Sequence, residues 1–154
     1  MTRIGLISDT HGLLRPEVRA ALQGCVHIVH AGDIGDARVL EELDRLAPVT
    51  AVRGNNDHGH WTKRIAHTEL VQVAGLWIYA VHEIDHLDID PRAADVHVVV
   101  TGHSHRPKIV ERDGVLFVNP GSAGPRRFSL PVTIADLVLT PEGPRATIVP
   151  LLNP

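Results

Sequence analysis

The residues with the greatest chemical capacity in this chain arrive in short clusters. Asp9 and His11 are separated by one residue in "SDTHG", Asp33 closes "HAGD", Asn55, Asn56 and Asp57 run together in "GNND", His82 stands alone in "AVHE", and His103 and His105 share one spacer in "VVVTGHSH". Side chains at i and i+2 of an extended segment point the same way, so each spaced pair could face one small volume. Carboxylate, amide and imidazole donors without sulfur suit manganese, iron, nickel or zinc and disfavour calcium. Each cluster also has a plainer reading. Asp9 could cap a turn, Asp33 could cap a helix beginning near Asp36, Asn55 could supply a left-handed turn, and His82 could be a satisfied histidine at a strand end. What favours a shared site is recurrence, because the same residue types return after one apolar run after another.

Those runs are the elements that must position the clusters. Residues 3–8, 26–32, 49–54 and 96–102 are short, β-rich and stop at Ser or Gly, which predicts strands. Helices are expected over residues 15–23, with Pro16 near the start and Gly24 after the end, and over 36–46, capped by Asp36 and closed by Pro48. Alternating strand and helix predicts a mostly parallel sheet with right-handed crossovers, and ligands collect beyond the carboxyl ends of such strands. The second half reads differently. Residues 69–82 and 108–119 each place a Gly-centred turn between two strand-like runs, and 132–139 pairs with 145–151 through "TPEGP". The expected architecture is α/β with two sheets.

Composition bounds the function. A chain of 154 residues with 44% hydrophobic and 21% charged residues predicts a globular protein of one domain over residues 1–154. A formal charge of −3 and no basic run longer than a pair give no general attraction for nucleic acid or an acidic membrane, so an anionic substrate must be drawn locally. No signal-peptide core or membrane-length apolar run is visible, and a cytoplasmic location is the expectation. The single cysteine, Cys25, excludes an internal disulfide and reads as core filler.

Taken in order, "DTH", "GD", "GNND", "VHE" and "GHSH" resemble the blocks of the calcineurin-like metallophosphoesterase superfamily, most closely its small single-domain bacterial and archaeal phosphodiesterase branch. The likeness runs from Ile4 to about Ser122 and includes "NPGS" as a closing loop. It implies a four-layer α/β/β/α sandwich with two mixed sheets. It also implies that Asp9, His11 and His105 hold one divalent ion and that Asn55, His82 and His103 hold a second. Asp33 would bridge both, and Ser104 would point away.

A binuclear centre of this kind lowers the pKa of a bridging water and steadies phosphoryl charge, so the expected reaction is in-line attack of a metal-bridging hydroxide on a phosphodiester. Manganese is the expected metal, with iron, nickel or zinc as alternatives. Asp33, Asn56 and Asp57 are the expected catalytic group, with Asp57 orienting a ligand imidazole. The expected partner is a small phosphate ester in a shallow, open pocket, with neither stable nucleic-acid binding nor a membrane, and with self-association known among relatives. Two positions depart from the pattern. Asn56 stands where many members carry His and the small branch often Cys, and Glu83 follows the lone His82 where Gly is usual. An amide is a poor proton donor, so aryl esters should be cut faster than alkyl esters. "DHGHWTKR" could form a rim with His58, His60, Trp61, Lys63 and Arg64, as could Arg126 and Arg127, although a solvated loop with Trp61 half buried is the plainer expectation. A non-catalytic protein-binding scaffold or a metal-binding sensor on the same fold is the alternative.

Overall fold

The computed structural model describes residues 2–152. In chain order the elements are β1 (Arg3–Ile7), α1 (Pro16–Leu22), β2 (His27–His30), α2 (Ala37–Asp44), β3 (Val49–Ala51), β4 (Thr68–Val73), β5 (Leu76–Val81), β6 (Val98–Val100), β7 (Lys108–Arg112), β8 (Val115–Asn119), β9 (Thr133–Thr140) and β10 (Gly143–Pro150). One sheet has the order β10-β9-β1-β2-β3 and the other β4-β5-β6-β8-β7. Parallel pairing joins β1 to β2 to β3 and β5 to β6 to β8, while β9 pairs antiparallel with both β1 and β10, and β4 with β5 and β7 with β8 are antiparallel too. The parallel sheet expected of the first half is thus completed on one side by the chain's last hairpin.

Alternation along each strand explains the layering. Ile4 and Leu6 of β1, Val29 of β2, Ile78 of β5 and Val98 and Val100 of β6 meet in the core between the sheets. Residues on the opposite face of the first sheet, Ile7, Ile28 and Ile134, meet Val18 and Leu22 of α1 and Val39 and Leu43 of α2, each helical pair standing four apart on one stripe. The outer face of the second sheet, Tyr79, Val81, Val99 and Val115, is covered by Leu87 and Ile89. The sandwich expected from the sequence is present, but its fourth layer is a 3-10 turn (Ile84–His86) and the turns after it. Repeated Asp and Pro91 in "EIDHLDIDPRAAD" interrupt any longer helix there.

Both helices are shorter than expected: α1 closes through an i to i+3 bond, Gln23 N–H to the Ala20 carbonyl, and at the end of α2 the Leu43 carbonyl is shared between the Leu46 and Ala47 N–H groups. Asp36 caps α2 as expected, accepting from the Arg38 N–H at 2.9 Å. Cys25 lies buried in the helix-side core. Among the described residues no helix is long and apolar enough to cross a membrane.

Candidate metal centre

β1, β2 and β3 of one sheet and β5 and β6 of the other deliver their carboxyl ends to a single place. Past the strands the chain stays laced: Asp9 N–H donates to the Gly32 carbonyl, His11 N–H to that of Asp33 and Gly12 N–H to that of Ile34, at 2.7–3.0 Å. The sheets are tied across the site by the His103 N–H donating to Asp9 Oδ2 at 3.1 Å and by the His82 Nδ1–H donating to the Ala31 carbonyl at 2.7 Å. "NPGS" closes the arrangement. Asn119 Nδ2 donates to the Gly102 carbonyl and the Ser104 hydroxyl, and the Ser122 hydroxyl donates to the Asp9 carbonyl. Ser104 is thereby turned toward Asn119.

The spaced pairs do not sit on extended backbone, and here the i, i+2 expectation is corrected. Asp9, His11, Asp33, His103 and His105 all have positive φ, between 47° and 71°, and are five of the nine non-glycine residues so placed among those described. Each such residue costs roughly 1–2 kcal/mol, and such strain persists only where the surroundings over-determine it. The turning backbone, not strand alternation, aims these side chains inward. Gly54 and Gly102 make the room. A Cβ on Gly54 would overlap the Asp33 carboxylate, and one on Gly102 would overlap the Ser8 hydroxyl and crowd Asp9 Oδ2.

Asp9 is buried with one oxygen committed, Oδ2 accepting from the Ser8 hydroxyl at 2.7 Å, and the other bare. Around the bare Oδ1 stand His105 Nε2 at 3.3 Å, His11 Nε2 at 3.8 Å and His82 Nε2 at 3.9 Å, and none makes a hydrogen bond to it. Asp33 Oδ2 is 3.4 Å from His82 Nε2 and 3.8 Å from His11 Nε2, and His11 and His105 bring their Nε2 atoms to 3.4 Å. Asp9 Oδ1, His82 Nε2 and His105 Nδ1 are buried polar atoms without a hydrogen-bond partner. Each such atom costs about 1–3 kcal/mol, so the cluster is poorly satisfied by protein alone. Two groups, Asp9–His11–His105 and Asp9–Asp33–His82, have ligand atoms close enough to hold an ion. Beside them the His103 ring stands edge-on to His82 at 5.3 Å, with its Nδ1 3.1 Å from Asn55 Oδ1.

Electrostatics keep the carboxylates ionised. Burial would raise both, but His105 and Ser8 hold Asp9 below its usual range, and His82 and Asn56 do the same for Asp33. His82 is pulled up by Asp33 and Asp9 against its own burial, whereas burial dominates at His11 and lowers it.

The three expected catalytic residues are placed differently from one another. Asp33 lies in the cluster. Asn56 donates its backbone N–H to Asp33 Oδ1 at 2.8 Å and its side-chain Nδ2–H to Oδ2 at 3.0 Å, so the amide clamps that carboxylate. Asp57 is a correction. Among the described residues no imidazole donates to it; it accepts the backbone N–H groups of Ile34, Gly35 and Gly54 at 2.9–3.2 Å and so ties the "GD" loop to the "GNND" loop. Trp61 packs partly buried against the helix-side core, with His58, His60, Lys63 and Arg64 exposed around it.

Two residues escaped the sequence reading. His30 is wholly buried; it accepts the Gly32 N–H on Nδ1 and donates Nε2–H to the Thr10 hydroxyl, which donates to the Ile34 carbonyl. This chain joins the loop bearing Asp9 and His11 to the loop bearing Asp33. Glu83, read only as a departure from a pattern, places Oε1 3.0 Å from His103 Nε2. On the same side a cleft of about 810 Å³ is walled by Glu83, His103, Ser104, Arg106, Phe117 and Asn119.

A family model described as the calcineurin-like phosphoesterase superfamily domain matches residues 2–140. The chain is 32% identical over 143 residues to a probable metallophosphoesterase of Methanothermobacter thermautotrophicus, spanning 83% of this chain and 81% of that protein. Among solved structures, an archaeal phosphodiesterase superposes with a TM-score of 0.77 at 27% identity, over 96% of this chain and 100% of that one. Vacuolar protein sorting 29 of Cryptosporidium parvum superposes with a TM-score of 0.76 over 96% of both chains, at 19% identity, a likeness of fold.

Proposed function

From the premise that the chain belongs to the calcineurin-like phosphoesterase superfamily, we propose that it is a phosphodiesterase working with two divalent ions, manganese by preference. The observation that carries this is the bare Asp9 Oδ1, buried among three imidazole Nε2 atoms that do not satisfy it. Oxygen and nitrogen donors converging without hydrogen-bond partners fit a first-row divalent ion. Asp9, His11 and His105 would hold one ion and Asn55, His82 and His103 the second, with Asp33 between them.

When bound, such ions supply an acidified water and neutralise charge on the phosphoryl oxygens. The chain's own residues do the rest. Asn56 fixes both oxygens of Asp33, so that carboxylate cannot swing away. Its amide, already spent on Asp33, protonates no leaving group, which favours esters of acidic alcohols. The cleft beside His103 is where the larger substituent of a diester would lie, near Arg106.

The test is hydrolysis of bis(p-nitrophenyl) phosphate by purified protein with Mn²⁺ and with chelator. Turnover with manganese that chelator abolishes is expected. Absence of turnover with manganese, iron, nickel and zinc in turn would overturn the reading in favour of a protein-binding scaffold or a sensor.

A further inference from the structure

Glu83 occupies a place its neighbours in the sequence do not explain. We propose that it is a positioning residue for His103, fixing the tautomer in which Nδ1 is offered to the second ion; the inference rests on the metal-site reading above. Glu83 Oε1 is 3.0 Å from His103 Nε2, and its other oxygen is 3.1 Å from His86 Nδ1. On the opposite edge of the same ring, Nδ1 is 3.1 Å from Asn55 Oδ1. A neutral imidazole has one N–H for these two facing oxygens. The carboxylate is the stronger acceptor, so the proton resides on Nε2. Nδ1 then turns its lone pair toward the Asn55 oxygen, a contact that repels by itself and that a cation held by both atoms relieves.

His82 reaches the same end by the opposite edge. Its Nδ1–H is given to the Ala31 carbonyl, which leaves Nε2 facing the cluster. His82 is buried and needs only a backbone partner; the His103 side chain is 46% exposed, where water competes for its N–H. A carboxylate holds that proton against water better than a carbonyl does. The turn supplies the rigidity: the His86 N–H donates to the Glu83 carbonyl at 2.9 Å, so His86 and Glu83 are joined through both backbone and side chain. Partners of this kind on metal-bound imidazoles are worth about 10–100-fold in metal affinity.

The experiment compares wild type with E83A, E83Q and, as a control on the same turn, D85N. Long-range ¹H–¹⁵N spectra of metal-free protein should place the His103 proton on Nε2 in wild type and show mixed tautomers in E83A. Calorimetric titration with Mn²⁺ should give two ions in wild type, and E83A should lose about 10–100-fold in affinity for one of them only. E83Q, whose amide oxygen still accepts, should recover most of that loss, and D85N should match wild type. A wild-type proton on Nδ1, or E83A taking both ions within about twofold of wild type, would overturn the role of Glu83 while leaving the phosphodiesterase reading intact. Wild type that takes up no ion would overturn that reading and this role together.

Discussion

Replacing His30 by glutamine should change how the stability of the metal-free protein depends on pH. In the folded chain His30 is wholly enclosed, and burial lowers its pKa from 6.5 to about 4. The unfolded chain takes a proton near 6.5 that the folded chain refuses until about 4, so stability falls as pH drops through that window. Two and a half units correspond to about 3 kcal/mol in the limit, of which about 2.5 kcal/mol is lost between pH 7.5 and 4.5. Glutamine does not titrate, but it leaves the Gly32 N–H without its imidazole acceptor, at about 1–3 kcal/mol. At pH 7.5 the variant should therefore be the weaker protein, and by pH 4.5 the gap should have closed or reversed. Urea unfolding followed by circular dichroism at half-unit pH steps, with chelator present, reads the difference. A gap constant within about 0.5 kcal/mol across the range would refute the claim that His30 is buried neutral.

Asp57→Ala strands three backbone N–H groups and should cost about 3 kcal/mol or more in thermal or urea unfolding; a loss under about 1 kcal/mol would mean that those bonds do not brace the loops. Gly54→Ala pushes a methyl against the Asp33 carboxylate, and manganese stoichiometry measured by mass spectrometry should fall below that of wild type. Aryl phosphodiesters should be cut about 100-fold faster than alkyl ones or more, and Asn56→His should narrow that ratio by raising the alkyl rate; equal rates in wild type would defeat the argument that the amide is no acid. Dialysis against chelator should lower the melting temperature and readdition of Mn²⁺ restore it, because an ion bound only by the folded state stabilises it.

The strand ends were legible because apolar runs stopping at Gly leave few other readings, and the hairpins were legible from their Gly-centred turns. The family order of "DTH", "GD", "GNND" and "GHSH" carried the rest of the architecture. What escaped has a common cause. His30 meets Thr10 twenty residues away, and Glu83 meets His103 across the gap between two strands of the second sheet, so neither partnership leaves a local signature. Asp57 shows the same limit: a carboxylate beside ligands looks like a partner for imidazoles, and only the fold reveals three backbone donors converging on it. The expected helices overrun the observed C-terminal ends by one residue in α1 and two in α2, because the sequence pattern does not mark where the hydrogen bonding changes.

The left-handed turns at Asp9, His11, Asp33, His103 and His105 bear on any attempt to borrow this centre. Copying seven side chains onto another sandwich at matched Cα positions would reproduce the donors and miss their aim, since ordinary extended backbone points them elsewhere. The transplantable unit is each loop with the strand end that grips it, and a recipient lacking the glycines at 54 and 102 would have to be carved before it could accept the graft.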